Sequence, residues 1–275
     1  MPFDRISIIG FAASYSFAFA FELLRLFRYG KISRYAATTF GGAGLLAHSI
    51  FLALWLPALA TTYGSLLFLA WVVAMFYFFG SFHHSRQSWS VFVLPVVLGL
   101  IALAGALGEA PSSLDFPESY LSVGSKEFWR LLHVTLFLLA ATGISVGFVA
   151  SVMYLVQAHR LRMKTVPGSG LRMLSLERLE AMNRRAIILS FPLLTAGLLV
   201  GTARMLHDQS RIQGWADIRI LSTLALWIVF AILLYLRYGF HLRARRLAIL
   251  TIAAFALLLF TLVTSHGGPT AGGVP

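Results

Sequence analysis

Cysteine is absent from this 275-residue chain, which excludes disulfides, thiolate metal sites, cysteine nucleophiles and thioether attachment of a prosthetic group to the chain itself. Charge is scarce as well. Asp, Glu, Lys and Arg make up 12% of the residues against 59% hydrophobic ones, and the mean hydropathy is +0.82. A water-soluble globular domain of this length could not coat itself with so little polar surface. Acid is the scarcest class, with 10 Asp and Glu against 22 Lys and Arg, for a formal net charge of +12. A basic excess marks a nucleic-acid surface only where it lies on a solvated face. Here the basic residues fall in short gaps between apolar runs, the pattern that orients membrane helices, so membrane lipid is the expected surrounding and no nucleic acid is expected as a partner. The chain also lacks a nucleophile elbow, a phosphate loop and a metalloprotease helix, and it has no repeat of the kind that builds inverted-repeat transporters. The first apolar run carries Glu22 and Arg25 at its far end with no small-residue cleavage site, which predicts a retained helix instead of a cleaved signal.

What the chain does have is apolar length. Crossing the hydrocarbon core takes roughly 20 apolar residues, and eight stretches meet that measure, approximately 6 to 27, 35 to 57, 63 to 82, 89 to 107, 128 to 156, 184 to 206, 218 to 237 and 246 to 265. The predicted fold is all-α, a polytopic integral membrane protein with eight transmembrane helices. Alternate connections carry the charge: four basic residues between Arg25 and Arg34, Arg86 beside His84, seven between Arg160 and Arg185, and four between Arg237 and Arg246, sixteen in all against three acids. The other segments hold six basic residues and seven acids. The positive-inside rule therefore places the first set in the cytoplasm and both termini on the external side.

The interruptions have local explanations. Gly41, Gly42 and Gly44 in the second span, with Gly197 and Gly201 in the sixth, are close-packing positions between helices; Pro192 predicts a kink in the sixth. Residues 108 to 127, with two prolines and five serines, form an external loop. In the segment LRMLSLERLEAMNRR, Leu171, Leu174, Leu176 and Leu179 make an apolar stripe opposite Arg172, Arg178, Arg184 and Arg185, which predicts an interfacial helix lying on anionic headgroups. Glu22 and Arg25 are expected to form a buried or interfacial ion pair. Residues 267 to 275 read as a flexible tail.

Histidine is the reactive side chain available. His83, His84, His159 and His241 fall at the cytoplasmic edge beside arginines and read as polar residues near headgroups. His133, His207 and His266 lie near the external boundary, and His48 lies inside the second span nearer its outer end, so three or four imidazoles converge on one leaflet. Neutral imidazoles from different helices suit heme iron; copper or zinc remain open on residue type alone. Asp208 and Asp217 are the only nearby carboxylates, expected to pair with Arg204, Arg211 or Arg219, and those arginines suit propionate groups. Trp129, Trp215 and Trp227 read either as an aromatic belt or as a flat platform for a porphyrin.

Several of these segments, in order, resemble the cytochrome c assembly proteins of the CcsA/ResC type and their smaller HemX-like relatives. WRLLHVTLFLLAATG, carrying His133, is similar to that family's LHV helix; YLVQAHRLRMK is similar to its basic exit; SLERLEAMNRRAIILSFPLLTAGLLVG is similar to its most recognisable segment. The resemblance runs from Phe128 to His266, and the first four spans add a compatible pattern. It implies heme held at the external face between two histidines flanking a tryptophan-rich motif, and His133 and His266 occupy the matching places. Within the motif Asp217 and Trp227 keep the family spacing, Arg219 stands where the family has lysine, Trp215 is displaced by one position, and the other tryptophans are missing. Tyr235 stands where the family often has an intramembrane histidine. These losses point to a HemX-like accessory of a heme lyase, not catalytic alone.

The resulting expectation is a multi-pass protein of the bacterial plasma membrane that binds b-type heme, stably or transiently, and assists cytochrome c assembly or heme delivery, with other assembly proteins and apocytochrome c as partners. His133 and His266 would bind the iron with His207 in reserve, Trp215 and Trp227 would flank the macrocycle, Asp217 with Trp227 would be what survives of the motif, and Arg204, Arg211 and Arg219 would meet the propionates. The chain divides into a four-helix part over residues 1 to 107, the loop 108 to 127, a heme-handling four-helix part over 128 to 266, and the tail 267 to 275. A heme-bearing electron-transfer subunit of a respiratory complex and a heme-free membrane scaffold are the alternatives.

Overall fold

A computed structural model describes residues 2–27, 31–55, 61–83, 88–107, 126–164, 173–207, 218–239 and 243–264. The described residues form eight helices: α1 (Pro2–Phe27), α2 (Lys31–Trp55), α3 (Thr62–His83), α4 (Ser90–Leu107), α5 (Lys126–Arg162), α6 (Leu176–His207), α7 (Ile218–Tyr238) and α8 (Ala244–Thr264). Each contains a stretch long and apolar enough to cross a bilayer, and the chain is an all-helical, multi-pass membrane protein. In hydrocarbon every backbone polar group must be satisfied within its own segment, which is why apolar runs of this length fold as helices.

The helices pack as two four-membered rings. In one, α1 packs on α2, α2 on α3, α3 on α4 and α4 back on α1; in the other, α5 packs on α6, α6 on α7, α7 on α8 and α8 back on α5. The rings join through α3 and α4 against α5 and through α3 against α8. Helix α5 therefore touches both rings, and the pair α5 and α6 is the most extensive contact in the molecule.

Small residues let these helices approach. A Cβ at Gly41 would lie 2.7 Å from a ring carbon of Tyr77, one at Gly44 3.0 Å from the Tyr15 ring, and one at Gly147 3.3 Å from side-chain carbons of Ala186 and Thr251. Cβ atoms added at Gly80 and Gly143 would collide with Trp89 and the Ser190 hydroxyl. The close-packing role expected of Gly41, Gly42, Gly44, Gly197 and Gly201 is met. Helix α6 runs unbroken through Pro192.

One local expectation is overturned. The segment read as a separate interfacial helix is the first part of α6, which begins at Leu176 and continues past Arg185 without a break. Ser175 caps it, its hydroxyl accepting from the Arg178 amide at 3.4 Å, and Glu177 complements the helix dipole in the first turn. Leu174 and Leu179 are buried, so the apolar stripe faces protein where lipid was expected. Nothing between Arg185 and Ala186 breaks a helix, and Asn183 is drawn inward: its amide donates to the Ser151 hydroxyl of α5 at 2.9 Å and its carbonyl accepts from Thr251 of α8 at 3.3 Å. Leu171 and Arg172 lie outside the described residues.

With 37 and 32 residues, α5 and α6 are about 55 and 48 Å long at 1.5 Å per residue, against a hydrocarbon core of about 30 Å. The excess is at the end where α5 finishes and α6 starts, where Arg160, Arg162, Lys164, Arg178, Arg184 and Arg185 lie. There Arg237 of α7 pairs with Glu180 at 2.8 Å. The first ring has its own ion pair, Arg25 with Glu22 at 3.2 Å, the carboxylate buried as expected.

Candidate functional site

His133 lies seven residues into α5, about 10 Å along the helix axis from its start. Its ring is seated against α6. The Nδ1–H donates to the carbonyl of Gly197 at 2.7 Å. Backbone carbonyls inside a helix are normally enclosed by side chains of the next turn; here the next turn carries Gly201, and a Cβ at that position would stand 2.7 Å from Cε1 and 2.9 Å from Nδ1 of the imidazole. The sequence GLLVG thus makes a notch on α6 that receives a flat ring, and the Gly197 carbonyl at its floor fixes the ring's tautomer. With the proton committed to Nδ1, Nε2 carries the lone pair. Of the three nearest ring atoms it is the furthest from the notch, 3.6 Å from the Cβ position at Gly201. His133 is half-buried.

Arg204 is on the turn after Gly201, along the same stripe of α6, and is half-buried. A cation and a neutral imidazole with a directed lone pair therefore share one end of the second ring, where α6 finishes and α7 begins.

Trp227 takes a different position. It lies nine residues into α7, about 14 Å from the helix start, deeper than a boundary residue. Its indole N–H donates to the Thr195 hydroxyl at 3.0 Å, and its ring stacks at 5.8 Å on Phe191. Thr195 and Gly197 are two residues apart, roughly 200° around an α-helix, so Trp227 and His133 grip nearly opposite faces of α6. Trp129 is exposed at the start of α5 beside Phe128, its ring centroid 5.6 Å away. His207 closes α6 and Arg219 lies at the start of α7; their side chains, together with Arg211, Trp215, Asp217 and His266, are outside the described residues.

The imidazoles that share a depth do not all share a site. His48 is seven residues from the end of α2, at a level comparable to His133, but it is fully buried in the first ring and stacked on Phe11 at 4.2 Å. Periodicity gives depth along a helix and leaves the partner helix open. The residues that sequence reasoning left as mere packing, Gly197 and Gly201, prove to orient His133; the usable signal was their four-residue spacing beside a helix that carries a histidine. Thr195 and Phe191, which hold Trp227, carry no comparable signal.

Among the described residues no group of three or more His, Asp or Glu side chains is placed to hold a metal ion. What this end of the ring offers among the described residues is one oriented imidazole with a nearby cation.

No solved structure matches. The chain is similar to the cytochrome c biogenesis protein CcsA of Synechococcus sp. (strain JA-2-3B'a(2-13)), 26% identical over 277 residues, covering 79% of this chain and 78% of the relative. The CcsA protein of Chlamydomonas reinhardtii is 26% identical over 208 residues, 74% of this chain and 56% of the relative. Protein HemX of Bacillus subtilis is 26% identical over 129 residues, 47% of this chain and 46% of that protein. The model of the family described as cytochrome C assembly protein matches residues 59–267, which extends the resemblance from α5–α8 back through α4 and α3, and by this match the chain belongs to the cytochrome c assembly protein family.

Proposed function

We propose that this chain binds heme at the end of the second ring where α5 begins, with His133 and His266 as the iron ligands, and that it does so as an accessory in cytochrome c assembly. One observation carries the reading: the 2.7 Å hydrogen bond from His133 Nδ1 to the Gly197 carbonyl, which leaves Nε2 as the basic nitrogen of a ring held still by the Gly201 notch. An imidazole that is to hold iron through Nε2 would need that tautomer and that restraint. The residues present fit the group. His266 follows the end of α8 by two positions, and α8 packs along α5.

In this reading Arg204, Arg211 and Arg219 meet the propionates, with His207 as a reserve ligand and Trp215 and Asp217 in the connection from α6 to α7. Trp227 holds α6 through Thr195 and so supports the notch from behind. Heme would be held there without a covalent link, since the chain has no cysteine, and any covalent attachment would fall to the thiols of apocytochrome c. This chain's residues bind it and set its orientation. The charge asymmetry of the connections supports an external position for this end; in this reading the membrane is a bacterial plasma membrane, with apocytochrome c and other assembly proteins as the partners.

The test is direct. Protein purified in detergent is examined by absorption spectroscopy, oxidised and then reduced, alongside His133→Ala and His266→Ala. A Soret band that weakens or shifts in both variants is expected. Folded protein with no Soret band after heme addition would refute heme binding, and a band unchanged in both variants would reject the ligand pair.

A further inference from the structure

The tryptophans expected to flank a macrocycle do not supply an open ring beside His133. Trp227 is pinned to Thr195 and Phe191 on the far side of α6, and Trp215 lies outside the described residues. Trp129 is better placed. It stands four residues before His133 on α5, about 6 Å out along the axis and about 40° around it, so the two side chains lie on one stripe of the helix. Side chains lean toward the start of their helix, which brings the imidazole of His133 toward the turn that carries Trp129.

That stripe is the one facing α6. His133 bonds the Gly197 carbonyl at 2.7 Å, Cβ of Leu136 and the backbone nitrogen of Phe137 lie 3.6 Å from where a Cβ of Gly197 would be, Gly143 meets Ser190, and the Ser151 hydroxyl accepts from the Asn183 amide at 2.9 Å. Through these pairs each turn outward along α5 is matched by about one turn outward along α6, which puts Trp129 level with the turn from Gly201 to Arg204. The lipid-facing side of α5 is elsewhere. Leu131, Thr135 and Leu139 are exposed, and Leu131 is two residues from Trp129, roughly 200° around the helix. A tryptophan of an interfacial aromatic belt belongs on that side. Trp129 is on the helix-facing side and is still 44% exposed, and the turn of α6 opposite it begins at Gly201, which has no side chain to lay over the indole. Its neighbour Phe128 stands at 81° to it, edge to face. The imidazole of the first ring has no such surroundings: His48 is buried with neither ring nitrogen hydrogen-bonded among the described residues, and Phe11 and Tyr15 close over it.

We propose that Trp129 is the aromatic wall of this site, and that the site recognises the flat porphyrin ring independently of its iron, so that metal-free protoporphyrin IX is also a ligand. The proposal rests on the heme reading above and divides the work of binding among three side chains. Nε2 of His133 meets the iron, the uncovered indole of Trp129 meets the macrocycle, and Arg204, level with the indole, meets a propionate. An indole is a large, rigid apolar surface, and stacking on it is open to any flat π system whatever its centre carries. Protoporphyrin IX keeps the ring and both propionates and lacks the iron. It therefore uses every part of the site except the axial ligand.

Two titrations separate the ring from the iron. Full-length protein in nanodiscs is titrated with metal-free protoporphyrin IX, followed by porphyrin fluorescence, and with hemin, followed at the Soret band; empty nanodiscs give the partition into lipid, which is subtracted. Wild type is expected to bind both. Trp129→Leu is expected to weaken both by about 5- to 150-fold, the range that loss of one stacked aromatic produces, and Trp129→Phe to recover most of that loss because it keeps a flat ring. His133→Ala is expected to weaken hemin and to leave protoporphyrin bound. Thermal melting checks that each variant is folded. Wild type that takes hemin but not protoporphyrin would overturn the proposal and leave the heme reading standing. Protoporphyrin bound equally well by wild type and folded Trp129→Leu would also overturn it, Trp129 then being an interfacial aromatic. Folded wild type that binds neither would overturn both.

Discussion

Replacing Gly201 by alanine puts the reading of the notch to its hardest test, because it adds one methyl group and replaces no candidate ligand. The added Cβ would stand 2.7 Å from Cε1 and 2.9 Å from Nδ1 of His133, whereas nonbonded carbon atoms rest at about 3.5–4.0 Å. The ring must therefore move by about 1 Å. The hydrogen bond to Gly197, now 2.7 Å, would then exceed the useful limit of about 3.2 Å. Loss of that bond, with the strain of overpacking, comes to about 1–3 kcal/mol. At 1.4 kcal/mol per decade this is a loss of about 5- to 150-fold in heme affinity. The assay is titration of detergent-solubilised protein with hemin, followed at the Soret band. Gly99→Ala is the control: nothing lies within 4 Å of a Cβ there, and its affinity should equal that of wild type. Folded Gly201→Ala with wild-type affinity would refute the claim that the notch orients the ligand.

Trp227→Phe removes the 3.0 Å bond to Thr195 on the far side of α6; stability should fall by about 0.5–1.5 kcal/mol in a thermal melt, while heme affinity drops less than in Gly201→Ala. Gly143→Ala drives a methyl into the Ser190 hydroxyl between α5 and α6, and a cost of about 1–3 kcal/mol should appear as a lower melting temperature with no spectral change in residual folded protein. Asn183→Leu cuts the links to Ser151 and Thr251; cross-helix bonds of this kind in membranes contribute about 0.6 kcal/mol each and at most about 1.7, so an unfolding free energy lowered by more than about 4 kcal/mol would show that the network does more than tie three helices.

Much of the architecture is written locally. Hydrophobicity summed over a helix length decides whether a segment crosses a membrane, and that sum needs no knowledge of neighbours; the eight helices fall within a few residues of their expected bounds wherever both termini are polar. The exceptions are α5 and α6, which continue past their apolar runs. Residues 176–185 are amphipathic, and amphipathicity is equally satisfied by lipid or by protein; only the burial of Leu174 and Leu179 and the inward turn of Asn183 decide for protein. His133 was legible as a candidate from its type, its depth and its surrounding segment. Its tautomer was not, since that depends on a carbonyl 64 residues away exposed by the absence of a side chain at Gly201. Trp227 kept its family spacing, yet its depth in α7 and its grip on Thr195 follow from how α6 and α7 pack. His48 and His133 look like companions in a depth profile and belong to different rings. The sequence by itself determined a cysteine-free, eight-helix membrane protein with charged connections alternating from end to end, because those properties sum over single residues. Which helices neighbour which, and therefore which imidazole gains a restraint and which is left in the core with two bare nitrogens, was decided only by tertiary packing, because azimuth and partner are properties of pairs of helices.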